Sequence, residues 1–477
     1  MRLLSEQEGV LFMMGQLPAA QNALFYDFCL ERHIPPNHLL RQINQFLDFD
    51  AIRAHLKPFY SHTGRPSIDP ELMIRMLLVG YCYGIQSERR LCEEVSLNLA
   101  YRWFCQLGLE DAVPDHSTFS KNRHGRFREA DLLRMLFDSV VTRCIEEALV
   151  KGEGFAIDAS FVRADVARQR SESGPVDWTP SKVQSRAVKE YLDKLDQDAD
   201  LNRPQKSVSL TDPMAQWSGA KGPAEFYYST NYLIDTEHGV IMDVEASPST
   251  NSLEVATTRT MIERVEATHA IKPERLLGDS AYGSAKNLGY LVEEKDIEPH
   301  VPVLDKTIRK DGTFSISDFQ WDAQADKYHC PGNKTLQRNN RNYTIPRTRI
   351  TKANTLIYRS HQSDCKDCAL KSRCCPNTTH RRIARSVHEA ARDRAREIGR
   401  TDTYKNESFN QRKKVEMLFA HMKHHLRFVR LRLRGLMSAN DEFLLVATAQ
   451  NLRRMARLCA RPPPSQGVSG SVVPLLV

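Results

Sequence analysis

The sequence predicts an α/β protein whose mixed sheet follows an all-helical N-terminal part. Apolar residues recur at helical spacing from about residue 24 to residue 150. Strand-like runs then begin at Gly154, where Phe155 and Ile157 precede an acid inside an apolar segment. Helices alternate with further strands after that point, and a Cys-rich insertion interrupts them.

The composition is typical of a globular protein with several domains. The chain has 477 residues, of which 41% are apolar and 26% are charged. It contains neither a run of about 18 apolar residues nor a secretion signal pattern, so we expect a cytoplasmic protein that does not enter a membrane. The 11 cysteines are then expected to be thiols or metal ligands and not disulfides.

The net charge of +8 is unevenly distributed along the chain. From Arg381 to Arg434 there are 16 Lys and Arg against 6 Asp and Glu. Such a basic surface suits a polyanionic partner. The alternative is a solvated helical face, which the position of Glu416 within this segment makes the weaker interpretation.

The N-terminal 150 residues are predicted to form helices joined by short polar segments. One apolar-periodic segment spans residues 39–56, and Asp69 followed by Pro70 predicts a capped start for a helix over residues 71–83. Several side chains here could contact phosphates, although capping by Asp115 and Ser117 explains part of the pattern equally well. These candidates are Arg65, Ser117, Thr118, Ser120, Lys121 and Arg123.

Asp158 lies inside the predicted strand 154–163. An ionised carboxylate in an apolar strand is costly unless it is paired or binds a metal, so Asp158 is a candidate site residue. The alternative is a strand-end Asp that faces solvent. Residues 165–221 form a polar insertion with a helix over 181–195, and residues 224–234 and 240–246 predict a hairpin before a helix over 253–268.

Asp279 follows a short apolar strand and precedes a helix that begins near Ser284. The carboxyl end of a strand is where α/β folds place their chemistry. Asp279 could instead cap the turn that follows it. Residues 298–303 predict a further strand nearby.

A helix near the C-terminus carries the third candidate acid. Arg412, Glu416 and Lys423 lie within about 40° of one another at 100° per residue, along one edge of an apolar stripe. A solvated Arg–Glu pair is the alternative. The stripe consists of Val415, Leu418, Phe419, Met422 and Leu426.

A basic strip follows that helix. Arg427, Arg430, Arg432 and Arg434 alternate with apolar residues and suit a DNA backbone. A last helix is predicted over 439–458, and residues 461–477 form a predicted disordered tail.

The cysteines of the insertion have the spacing of a structural zinc site. Cys330, Cys365, Cys368 and Cys374 could hold one Zn²⁺ tetrahedrally, in a segment with few large apolar residues for a core of its own. Cys375 could replace Cys374 as the fourth ligand. Free thiols in a mobile insertion are the alternative.

The three acidic motifs together resemble those of bacterial insertion-sequence transposases of the DDE class. Arg412, Glu416 and Lys423 have the spacing of the family's C-terminal signature, with Phe409 where the family has Tyr. The run GDSAYGS around Asp279 is similar to the second motif, Asp158 matches the first, and residues 64–95 and 114–123 resemble the helical N-terminal domain.

The resemblance implies an RNase H-like mixed sheet core, and it divides the whole chain into five segments. They are a helical DNA-binding domain (1–150), the first part of the core with its polar insertion (151–320), the Cys-rich insertion (321–380), the last part of the core (381–460) and the tail (461–477).

The resemblance also implies metal-dependent DNA cleavage at element ends and strand transfer into target DNA. Asp158, Asp279 and Glu416 would hold two Mg²⁺ or Mn²⁺ ions, and a homodimer or higher assembly would form on DNA. The implied DNA-binding residues are Arg412, Lys423, Arg427, Arg430, Arg434, Tyr282 and Phe409.

Two other functions remain open. A decayed copy could act only as a DNA-binding regulator, and Phe409 in place of Tyr is the observation that favours it. A host RNase H-like nuclease or junction resolvase would cut DNA without joining it.

Overall fold

The structure is a computed structural model. It describes residues 28–60, 63, 67–183, 185–195, 205–219, 223–249, 251–305, 309–338 and 348–459, with the side chains of 251–254 excepted. The phosphate-contact candidate Arg65 and the predicted tail over 461–477 lie outside these residues. None of the helices in the described ranges is long and apolar enough to cross a membrane.

Short helices fill the N-terminal part, as predicted. The segment 39–56 forms two helices where one was predicted, because Asp48 caps a new helix with its side chain. Asp69 accepts a hydrogen bond from the Glu71 amide and Pro70 occupies the first turn, so the predicted capped start is confirmed. The helices are α1 Leu30–His33, α2 Leu39–Asn44, α3 Phe49–Leu56, α4 Pro70–Cys82, α5 Glu88–Leu97, α6 Leu99–Phe104, α7 Ser117–His124, α8 Arg126–Glu129 and α9 Leu132–Glu146.

The main sheet is mixed. Its strands are β1 Gly154–Arg163, β4 Gln216–Ser218, β5 Glu225–Asp235, β6 Ile241–Pro248, β7 Arg275–Leu277 and β8 Glu298–His300, while β2 Ser171–Glu172 and β3 Val208–Ser209 form a separate pair. The order is β4-β5-β1-β7-β8, with β6 also on β5. Only β1, β7 and β8 run parallel to one another. The predicted hairpin is β5 and β6.

Four helices pack around this sheet, and a fifth belongs to the polar insertion 165–221. They are α10 Arg186–Leu195, α11 Asn251–His269, α12 Ala285–Gly289, α16 Phe409–His424 and α17 Leu436–Leu458. Helix α17 contacts α2, α4 and α9 as well as β6. Its apolar residues therefore join the helical part and the sheet in one hydrophobic core that extends from Leu40 to Ala456.

The polar insertion 165–221 is anchored to the core. Asp212 is buried, accepts a hydrogen bond of 2.6 Å from the Tyr228 hydroxyl and another of 2.9 Å from the Gly435 amide. Burial raises its pKa to about 6. The helix predicted over 181–195 begins at Arg186.

The Cys-rich insertion forms a second, antiparallel sheet of five strands. The strands are β9 Gln320–Asp322, β10 Lys327–His329, β11 Thr335–Arg338, β12 Thr355–Arg359 and β13 Arg382–Ser386, in the order β13-β12-β11-β10-β9, with helices α13 Gln362–Lys366 and α14 Lys371–Cys374 after β12 and α15 Glu389–Ile398 after β13. Tyr328, Leu336, Tyr358 and Ile383 form a core of their own. The premise that this segment lacks a core is wrong, because alternating apolar residues on short strands supply one.

Candidate active site

Asp158 lies in the middle of β1, the central strand of the main sheet. It is half-buried, and its Oδ1 accepts a hydrogen bond of 2.7 Å from the Ala159 amide. In the β1–β5 register it lies opposite Tyr232. Directly opposed residues project from the same face of a sheet, so Asp158 and Tyr232 share a face.

Asp279 follows β7, the parallel neighbour of β1. Ala156 pairs with Leu277, so two residues further along each strand Asp158 and Asp279 come level. A Cβ on Gly278 would lie 3.1 Å from Ile157 Cγ2, which shows that the chains stay close beyond the last paired residue. Asp279 Oδ1 accepts a hydrogen bond of 2.8 Å from the Ala281 amide and so caps the next turn. Asp279 therefore does cap the following turn, as the alternative interpretation had it, and this hydrogen bond helps to hold its carboxylate.

Helix α16 brings Glu416 to the same face. The Phe419 ring lies 5.4 Å from the Tyr232 ring, and Phe419 is one turn after Glu416. Because Tyr232 is the register partner of Asp158, α16 packs on the face of the sheet that carries Asp158. Val415, Leu418, Met422 and Leu426 are buried as predicted, while Glu416 is exposed. Helix α16 thus lies on the side of the sheet that carries Asp158.

The start of α16 is fixed by β8. A π-helical turn over Tyr404–Ser408 leads into the helix. Ser408 is buried, and its hydroxyl is 2.7 Å from Nδ1 of the buried His300 at the end of β8. Burial, then the nearby Arg275, lower the pKa of His300. A neutral imidazole therefore ties the parallel edge of the sheet to the helix that carries Glu416.

The residues around Glu416 differ in their access to solvent. Phe409 is 66% exposed at the first turn of α16. Arg412 and Lys423 are half-buried on the helix. Tyr282 is 3% exposed and packs in the main core, and its contact with DNA stays a prediction. Its place in the turn after Asp279 is structural, since its carbonyl accepts a hydrogen bond from Asn287.

The basic strip runs along the end of β1. The amide of Arg163 donates to Val429, and its carbonyl accepts a hydrogen bond of 2.7 Å from the Leu431 amide. Arg427, Arg430 and Arg434 are exposed, as a DNA-contacting strip requires. Arg430 and Arg434 each form an ion pair with Asp165, at 2.9 and 3.1 Å. Arg432 instead stacks over the Tyr81 ring at 4.2 Å, beneath the strip.

Of the candidates in α7, only some are accessible. Ser117, Ser120 and Lys121 are exposed. Arg123 is buried and pairs with Glu88, so its predicted phosphate contact is wrong. An Arg that bonds an acid inside the core stabilises the helix pair instead of contacting a ligand.

The insertion cysteines line one small cavity next to the insertion core. It is bordered by Cys330, Cys365, Cys368, Cys374 and Cys375. Cys330 Sγ accepts a hydrogen bond of 3.3 Å from the Lys334 amide. Cys374 and Cys375 are buried, and burial raises the pKa of the Cys374 thiol to about 12. These two side chains therefore pack against the insertion core.

Over the described ranges, no group of three or more His, Cys, Asp or Glu side chains could hold a metal ion. Neither the insertion cysteines nor the carboxylates of Asp158, Asp279 and Glu416 form such a group, so the zinc site and the magnesium site stay predictions. The carboxylate oxygens of the three acids have the chemistry that Mg²⁺ prefers.

Three residues that support the site were not predicted. They are Asp165, which pairs with the strip, His300, which holds α16, and the buried Glu442, which accepts hydrogen bonds of 2.8 Å from the Arg432 and Leu433 amides. Of these three residues, only Glu442 could have been found from the sequence, because it is an acid within an apolar helical pattern.

Two family models match separate parts of the chain. Residues 28–125 match a model described as Transposase domain (DUF772), and residues 329–456 match one described as Transposase DDE domain. The second range includes Glu416, while Asp158 and Asp279 lie between the two. Both matches are to transposase domains, so they support that class of protein for this chain.

More specifically, the two matches support an insertion-sequence transposase of the DDE class. A DDE domain implies an RNase H-like fold, and the order of β6, β5, β1, β7 and β8 with β5 antiparallel to β1 agrees with it.

Proposed function

We propose that this transposase cuts DNA at the ends of its insertion sequence and joins the freed end to target DNA. The proposal is supported by the β1–β7 register, which brings Asp158 and Asp279 level, and by the Tyr232–Phe419 contact, which packs the helix of Glu416 on the Asp158 side of the sheet. In the first reaction, water attacks phosphorus and the bond to the 3′ oxygen breaks. In the second, the freed 3′-hydroxyl attacks a phosphorus of the target strand, the bond from that phosphorus to its own 3′ oxygen breaks, and the target's 3′-hydroxyl leaves.

Asp158, Asp279 and Glu416 would hold two Mg²⁺ or Mn²⁺ ions. Such a pair, roughly 3.5–4 Å apart, activates the attacking oxygen and stabilises the leaving oxygen. The strands fix the two aspartates, since each accepts a backbone hydrogen bond. The hydrophobic stripe of α16 sets the position of Glu416, and Arg412 on the same helix would orient a phosphate.

The test is cleavage and joining of linear DNA that carries the sequences flanking the gene for this chain. Asp158→Asn, Asp279→Asn and Glu416→Gln should each lower Mg²⁺-dependent cleavage by at least about 100-fold, because removal of one electrostatic partner of a transition state costs that much. Binding of the same DNA should persist. Chelation of divalent ions should abolish cleavage by the wild type.

Glu397→Gln is the matched control. Glu397 is an exposed Glu on α15, away from the three acids in the fold, and its variant should cleave like the wild type. Three acid variants with unchanged cleavage would overturn the assignment. Binding without cleavage by the wild type would point to the regulator, and cleavage without a joined product would point to a nuclease.

DNA is the proposed partner of the helical part and of the strip. Arg427, Arg430 and Arg434 supply exposed cations beside the acid-bearing face, and Phe409 supplies an exposed ring for stacking. Two element ends must be held together for joining, so we propose a homodimer or higher assembly on DNA. Sedimentation of the chain with end DNA tests this expectation.

A structural zinc ion in the insertion is a separate proposal. It is supported by the convergence of Cys330, Cys365, Cys368, Cys374 and Cys375 on one cavity. Metal analysis of the purified chain should find about one zinc per chain, and Cys365→Ser with Cys368→Ser should remove it. Absence of zinc from chain purified without chelator would overturn this proposal and leave the thiol packing described above.

A further inference from the structure

The solvent face of the insertion sheet carries two arginines in direct opposition. Arg359 on β12 and Arg382 on β13 are register partners, and both are exposed. Opposed side chains in an antiparallel pair have Cβ atoms about 4.5–5.5 Å apart, and like charges at that distance destabilise the sheet. The fold therefore holds a charge arrangement that costs stability.

Neither arginine is neutralised by the structure. Within the part of the chain that the structure describes, Arg359 and Arg382 form no ion pair with an acidic residue. The neighbouring exposed cation Arg338 contrasts with them, since it points to the other face of the sheet and pairs with Asp326. Arg382 Nε donates a hydrogen bond of 3.4 Å to His380 Nε2, which does not neutralise its charge.

The positive row extends across the sheet. Arg359 lies opposite Gln337, which lies opposite Lys327. The row ends at Asp322, whose Oδ1 accepts hydrogen bonds from the Gln324 and Ala325 amides in the β9–β10 turn. One acid at the far end does not balance the cations.

A cavity of about 470 Å³ adjoins this row. Its lining includes Arg382, His380, Arg309 and Thr378. One acid, Asp311, also lines it, and that carboxylate accepts the Thr313 hydroxyl at 2.5 Å. Burial, then Arg382 and Arg359, lower the pKa of His380. The cavity thus adds hydrogen-bond donors beside the cations.

We infer that this face binds the phosphate backbone of a DNA duplex, with Arg359 and Arg382 as the principal contacts. We call this surface of Arg359 and Arg382 the insertion phosphate face. It is separate from the acid-bearing face and from the basic strip. The inference rests on the proposed function for the identity of the anion. Phosphates 6–7 Å apart along a strand could be met by a row of cations, and backbone contacts position DNA without reading sequence.

The test measures equilibrium binding of the full chain to duplex DNA that carries an element end, with fluorescence anisotropy as the readout. Glu416→Gln serves as the parent, so that DNA is not cut during the measurement. Adding Arg359→Gln and Arg382→Gln should weaken binding and reduce the slope of log K against log salt by about two, one for each lost phosphate contact. The comparison covers about 50 to 200 mM salt.

Arg338→Gln is the matched control, because it removes an exposed arginine from the same sheet on the opposite face. It should leave the slope unchanged. The double variant should unfold at the same or a higher temperature than its parent, since a like-charge pair has been removed.

Binding equal to that of the parent would overturn the inference, and so would a loss of affinity that accompanies a lower unfolding temperature. The result is independent of catalysis. Failure here leaves the cleavage test unaffected, and a chain that does not cleave can still show the salt dependence.

Discussion

The buried carboxylate of Glu442 accepts hydrogen bonds of 2.8 Å from the backbone amides of Arg432 and Leu433. Glu442 lies in α17, while the two amides belong to the basic strip. The Tyr81 hydroxyl of the helical part donates to the same carboxylate at 3.3 Å. One acid therefore connects the last helix, the strip and the N-terminal helices.

Glu442 should make stability fall as the pH rises. Burial raises its pKa from 4.5 to about 6. Between these values the folded chain binds more protons than the unfolded chain, so the free energy of unfolding decreases with pH, by about 2 kcal/mol across the window. Denaturant unfolding of the wild type and Glu442→Gln from pH 4.5 to 7 checks this. The wild type should lose stability relative to the variant, and a constant difference would contradict the prediction.

Asp165→Asn should strengthen DNA binding at low salt. Asp165 pairs with Arg430 and Arg434, so its charge competes with phosphates for both cations. The gain should be below about tenfold, because these ion pairs are partly exposed and weak, and it should vanish at high salt. Anisotropy titrations at low and high salt measure it. Equal affinity at low salt would show that the strip does not contact DNA.

Breaking the His300–Ser408 hydrogen bond should weaken both the fold and the activity. Ser408→Ala removes the partner of a buried imidazole, which costs about 1–2 kcal/mol, and loosens the start of the Glu416 helix. A double-mutant cycle with His300→Ala should give a coupling energy of about 1 kcal/mol. Additive effects would mean that the two side chains act independently. Cleavage should fall more than DNA binding.

Gly283→Ala should destabilise the turn after Asp279. A Cβ at this position would lie 1.9 Å from the Pro302 carbonyl oxygen and 2.8 Å from the Leu304 amide. Because both contacts are backbone atoms, the chain must shift, at a cost of about 1–3 kcal/mol or more. Thermal unfolding measures the loss. Gly399→Ala is the control, since its Cβ would come no closer than 3.4 Å to another atom, and equal behaviour of the two variants would contradict the prediction.

Local sequence pattern was enough to predict those elements whose structure is decided by their own residues. The strand 154–163, the β5–β6 hairpin and the stripe of α16 follow from apolar periodicity, and the structure has them within a few residues. The order of the three acids along the chain also indicated their elements. Each of these features is decided by neighbours within one strand or helix.

Features that depend on residues distant in the sequence could not be predicted from local sequence pattern. Tyr282 and Arg123 looked accessible because their neighbours are polar, yet both are buried against elements remote in sequence. The insertion sheet was missed because its strands are three to five residues long and each contributes one or two core residues. His300 and Asp165 act only through partners more than 100 positions away.

The ion pair between Asp165 and Arg430 joins residues 265 positions apart. Contacts of such long range form late in folding, since most of the chain must be ordered first. During synthesis, β1 leaves the ribosome long before the helix that bears Glu416. A nascent chain therefore contains Asp158 and Asp279 before Glu416, and under the proposed function it acquires the full set of acids only when most of the chain has been synthesised.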